Sequence, residues 1–74
     1  MPRYFFHVDG EPPDSDGLEL PGIEAVRAEA IRAAGEMLRD IDGEFDGAEW
    51  AMRVTEDDRP VLTLQFRAIE HAAD

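Results

Sequence analysis

Seventy-four residues make one domain with a single core, and a chain this short buries only roughly 60% of the surface its unfolded form exposes. Cysteine is absent, which closes the routes to disulfides, thiolate metal sites and cysteine nucleophiles. Eighteen acids against seven arginines and no lysine give a formal charge of −11, a balance that repels nucleic acid and argues against direct DNA or RNA binding.

Residues 3–8, RYFFHV, are aromatic and β-branched and read as a strand. Alternation puts Tyr4, Phe6 and Val8 on one face, and Arg3, Phe5 and His7 on the other. The acid-rich loop DGEPPDSDG follows, and residues 17–20, GLEL, read as a short second strand. From 23 to 42 the spacing turns helical. Ile23, Val26, Ala30, Ala33 or Ala34, Met37, Leu38 and Ile41 form an apolar stripe, with Glu29, Arg32, Glu36 and Arg39 able to pair on the exposed side. DGEFDG then ends the helix.

The last third reads as a hairpin with strands at 48–56 and 61–67 around the turn residues EDDRP. Trp50, Met52, Val54, Leu62, Leu64 and Phe66 point inward, while Ala51, Arg53, Thr55, Val61, Thr63, Gln65 and Arg67 point outward. The order ββαββ predicts a two-layer α+β domain spanning 1–74, a four-stranded antiparallel sheet with one helix packed on one face. The start of the chain does not read as a signal peptide, and no apolar run approaches the ~20 residues of a membrane span. The expected location is the cytoplasm, with no membrane contact.

Such a sheet leaves one face uncovered, and three of the seven arginines fall on it. Arg3, Phe5, His7, Arg53 and Arg67 are therefore the candidate partner-binding residues, since an aromatic beside arginines has the composition of an interface anchor. The occupant is a protein partner or a second copy of the chain, and self-association also answers the small-core problem. The competing reading is that these arginines pair with nearby acids and keep the face wet.

Catalysis finds little purchase. Setting Gly17 at the sixth position of a calcium loop puts Asp14 and Asp16 at the third and fifth, but leaves Pro12 at the first and Ile23 at the twelfth. Asp14, Asp16 and Glu19 remain a weak metal candidate, against a solvated turn in which Asp14 or Asp16 accepts backbone N–H bonds. His7 and His71 are too few for a transition-metal site, and the lone Ser15 has no base at a persuasive spacing. The expectation is a non-enzymatic protein with no cofactor and no catalytic residue.

The segments MPRYFFH, DGLELP, EAVRAEAIRAAGEML and VLTLQF together resemble a family of very short bacterial proteins, mainly alphaproteobacterial, classed as a domain of unknown function. That resemblance implies no activity and transfers no site residue. A weaker similarity, carried by LPGIEAVRAEAIRAAGEML, is to HicB-like antitoxin domains. It implies an acidic inhibitor that blocks a small basic RNA-cleaving toxin, and a nucleic-acid mimic that blocks a nuclease is the related form of that reading. The C-terminal DNA-binding segment of many such antitoxins has no counterpart here.

Overall fold

The computed structural model describes residues 1–40 and 49–72. Strand β1 (Arg3–Val8) is followed by β2 (Leu18–Glu19), helix α1 (Ile23–Asp40), β3 (Glu49–Glu56) and β4 (Arg59–Arg67). All neighbours are antiparallel in the order β2-β1-β3-β4, so the chain is the α+β domain that the element order predicts. The expected helix end at 41–42, the DGEFDG stop and the strand start at 48 lie outside the described residues. Among the described residues no helix is long and apolar enough to cross a membrane.

The helix seats on the sheet through short side chains. Val26, Ala30 and Ala34, spaced by four, are buried against Tyr4, Met52 and Val54. Burying a side chain the size of Val54 or Met52 contributes about 1.5–3 kcal/mol. Phe6, Val8, Leu20, Ala33, Met37, Trp50, Val61, Leu62 and Leu64 pack around this centre while remaining partly exposed. Ile23, expected in the stripe, is exposed at the first turn. Gly22 caps that turn through its carbonyl, which accepts the Val26 N–H at 3.1 Å.

Two details depart from simple alternation. First, β4 begins at Arg59, two residues before the expected start, because a two-residue turn at Asp57–Asp58 closes directly onto the Glu56–Arg59 pair. Asp57 takes φ 55°, a left-handed conformation that Asp tolerates better than most residues. A register shift follows, since Val54 pairs with Leu62 but Thr55 pairs with Pro60. Val61 is the extra residue of this bulge, and instead of pointing outward it packs on the core. The bulge also accommodates Pro60, which has no N–H for a regular ladder.

Second, β2 is two residues rather than four. Gly17 is not part of it: its φ is +70°, and a Cβ there would come within 2.8 Å of Phe5 Cε1, 2.9 Å of Arg3 Cγ and 2.9 Å of the Tyr4 carbonyl oxygen. The loop therefore lies directly on β1, and only glycine fits both the backbone conformation and the space. Gly17→Ala is expected to lower stability by about 2–3 kcal/mol, through strain at positive φ and overlap with the Tyr4 backbone. Urea denaturation of the two proteins measures it; an unchanged midpoint would refute the close packing of the loop on β1.

Candidate functional site: the open sheet face and the groove beside β4

The acidic loop is held by one carboxylate. Asp14 Oδ1 accepts the backbone N–H groups of Asp16 at 3.1 Å and Gly17 at 3.2 Å, which is the Asx-type turn expected from the sequence. Its Oδ2 accepts the Phe6 N–H at 3.1 Å. That N–H lies beyond the point where β2 stops pairing with β1, so the side chain takes over from a strand that is too short. Burial pushes the Asp14 carboxyl up, but the three N–H groups, from Phe6, Gly17 and Asp16, together hold it below the usual 3.8.

The arginines of the open face are largely engaged. Arg3 donates Nη1 to the Asp16 carbonyl at 2.8 Å and Nη2 to Glu19 at 3.2 Å, the residue opposite it in the β1–β2 register. Arg53 donates to Asp9 at 2.5 Å. These are half-exposed pairs worth little to stability, yet they cancel the positive charge expected on this face. Arg67 stands opposite Glu49 in register and makes no ion pair with the described residues. Phe5 and His7 are half-buried rather than fully displayed; Gly17 sits against Phe5, and His7 pairs with Arg53 across the strands. The open face thus brings Arg3, Phe5, His7 and Arg53 together, with Arg67 at its far corner.

Two of the three weak metal candidates are engaged in other ways. Both Asp14 oxygens accept backbone N–H bonds and Glu19 faces Arg3. Among the described residues no group of three His, Asp or Glu side chains is placed to hold a metal ion. On the helix, Arg32 bridges Glu29 and Glu36, two of the pairs expected from spacing, and its hydrogen bonds hold the Glu29 carboxyl below its ordinary range.

A second surface lies on the helix side, and sequence reasoning did not single it out. Ile31, Ala34, Gly35 and Leu38 of α1 face Trp50 of β3 and Leu64, Gln65 and Phe66 of β4 across a groove of about 220 Å³. Ile31 is 56% exposed and Phe66 41% exposed at its rim. A Cβ at Gly35 would meet nothing within 4 Å, so the groove runs down to the helix backbone. Beside it, β4 is paired on one side only among the described residues. Two sequence signals point here: Ile31 is a large apolar residue off the buried stripe, and residues 59–69 form the longest stretch of the chain without an acid.

Asp14→Ala is expected to cost about 1–2 kcal/mol, because backbone donors at Phe6, Asp16 and Gly17 lose their acceptor. The folded pKa of this carboxyl is depressed, so its contribution is complete above about 3.8 and is lost as pH falls through the lower folded value. The difference in stability between wild type and Asp14→Ala should therefore shrink in acid, and a pH-independent difference would contradict the assignment. Thr55 Oγ1, flanked in register by Phe5 and Pro60, is buried with no hydrogen-bond partner among the described residues. Thr55→Val should raise stability by about 1 kcal/mol in the same denaturation assay, and a loss would show that the hydroxyl is satisfied.

Neither a curated protein nor a solved structure matches this chain. The family described as Domain of unknown function (DUF6894) matches residues 3–67, from the first residue of β1 to the last of β4, and the chain belongs to that family.

Proposed function

We propose that this chain is a non-enzymatic, cytoplasmic protein-interaction domain whose binding surface is the β4 side of the molecule. One observation carries the reading: a nine-residue edge strand lies beside an apolar groove rimmed by exposed Ile31 and Phe66. The outer edge of a sheet offers backbone donors and acceptors to an added strand, and the adjoining groove supplies side-chain recognition. The open-face residues Thr63, Gln65 and Arg67 lie on the same strand, so a partner added at this edge also reaches that corner of the open sheet. Arg3 and Arg53, tied to Glu19 and Asp9, serve as supports of the face rather than as its anchors.

A second reading, an acidic inhibitor of a basic protein, is favoured by the charge left after pairing. Four arginines account for the five ion pairs among the described residues, and the exposed acids at Glu11, Glu24, Asp40, Asp57 and Asp58 are not among their partners. Such a complex weakens steeply with salt.

Affinity capture with tagged wild type, Ile31→Glu and the far-side control Glu36→Ala separates these readings. The β4 reading expects a partner that is retained by wild type and Glu36→Ala and lost with Ile31→Glu. A basic protein that is eluted by salt and indifferent to Ile31→Glu would instead support the inhibitor. Equal capture by all three proteins with no salt dependence would refute both.

A further inference from the structure

The interaction reading leaves the occupant of β4 unnamed, and the inference that follows rests on it. We propose that the occupant is a second copy of this chain, joined antiparallel through β4 about a two-fold axis at Gln65, so that two four-stranded sheets become one of eight strands.

Charge selects the occupant. Each copy carries −11, so two copies repel wherever their acids meet. Residues 59–69 contain no acid and two arginines, and the β4 edge lies within them. A basic partner would be drawn to the acidic surfaces elsewhere; the acid-free strip is where a like-charged copy can approach at least cost. With a Debye length of about 8 Å at physiological salt, acids away from the strip are screened while the strands touch.

The shape of the groove selects the register. Its β4 lining is Leu64, Gln65 and Phe66, so an axis through Gln65 lays groove against groove. In that register Leu64 faces Phe66 of the second copy on the helix side, and Thr63 faces its Arg67 on the open side. The two helices lie on the same side of the joined sheet, each presenting Ile31 toward the junction. Each contact occurs twice, as a two-fold interface requires. An axis at Thr63 would place Arg59 against Arg67 of the second copy, a like-charge pair directly opposite and therefore destabilising.

Among the described residues no strand pairs with the outer edge of β4. Strands exposed at sheet edges are commonly blunted by charge, proline or a bulge. Here Pro60 and the bulge sit at the start of β4, and Arg67 at its end. Residues 61–66, VLTLQF, have neither proline nor charge, and they are rich in residues that suit strands. Pairing would also cover Ile31 and the groove walls, adding apolar burial to a domain whose fully buried large side chains are Met52, Val26 and Val54.

Because the chain has no cysteine, single-cysteine crosslinking reads the register directly. Directly opposite residues of an antiparallel pair have Cα atoms about 4.5–5.5 Å apart, within the range of about 4.4–6.8 Å that a disulfide spans. Gln65→Cys should form the intermolecular disulfide at least about tenfold faster than Ser15→Cys on the exposed loop, because pairing holds its thiols together. Analytical ultracentrifugation of the cysteine-free wild type should show a dimer that tightens as salt is added, the opposite of a complex with a basic protein. Ile31→Glu should raise the dimer dissociation constant roughly 10–30-fold with its circular dichroism unchanged, and Glu36→Ala should leave it unaltered.

A wild type that stays monomeric across the micromolar range at high salt, with Gln65→Cys no faster than Ser15→Cys, overturns the self-pairing. If Ile31→Glu then still loses a captured partner, the interaction reading survives without it. If nothing captured depends on Ile31, both fall. A dimer indifferent to Ile31→Glu whose crosslinking favours another position overturns the β4 assignment.

Discussion

The helix touches the sheet through Val26, Ala30 and Ala34, and much of the molecule follows from how little volume that contact holds. Alanines at the centre let the helix lie close over Met52 and Val54, so a small chain can close a core. The same closeness leaves no room beneath the helix for its larger neighbours. Ile31 and Leu38, together with Trp50, Leu64 and Phe66 from the sheet, are left at the side and line a groove between helix and edge. The groove is therefore the counterpart of the tight core: apolar volume that could not be placed inside is gathered along one flank. A helix with leucines at 30 and 34 would stand higher and bury more, but would not place this surface beside β4.

On the opposite flank the sheet has the reverse problem, too little strand. β2 supplies two residues against β1, and the rest of that edge is served by the Asp14 side chain and the loop that carries it. Gly17 makes this possible by allowing the loop to lie on Phe5 and the Tyr4 carbonyl. Arg3 then joins β1 to the loop at the Asp16 carbonyl and to β2 at Glu19. One edge of the sheet is thus closed from within the chain, by a carboxylate, a glycine and an arginine. At the other, β4 pairs with β3 on its inner side, and no further strand follows it among the described residues. This asymmetry, rather than the open face alone, distinguishes the two ends of the sheet.

Much of this fold was legible because its elements have clean periods. RYFFHV alternates by two, EAVRAEAIRAAGEML repeats by three and four, and the EDDRP turn marks a hairpin. An Asx-type turn at Asp14 or Asp16 was legible too, because such turns are local chemistry, and the fold makes Asp14 the acceptor. What escaped was non-local. Alternation assigns Val61 to the solvent, but the bulge opposite Thr55 adds a residue and turns Val61 inward. It makes Phe5 a displayed aromatic, whereas a loop twelve residues away in sequence covers it. The positive face it implies is largely neutralised by Asp9 and Glu19, partners that only the folded register brings near. The groove was hidden for the same reason: Ile31 off the stripe and Phe66 on the inward face become neighbours only once β4 is known to be the edge, and strand order is not written in any local period.

Charge and edge chemistry bear on one another. Solvent-exposed acids elsewhere on the surface repel their counterparts on another copy of this chain, a long-range effect that needs no particular geometry. β4 lacks that protection. Its own guards are local and sit at its ends, a proline with a bulge at one and an arginine at the other, leaving 61–66 between them unguarded. Adding a Glu at Thr63 or Gln65 would be the simplest way to blunt such a strand, since both face outward and their replacement would leave the core untouched. A sequence so rich in acids nevertheless places none from 59 to 69, the stretch where one acid would do most to prevent pairing. Solubility alone would favour an acid there. The demands of the core do not explain its absence at the exposed positions, whereas the proposed pairing through β4 would.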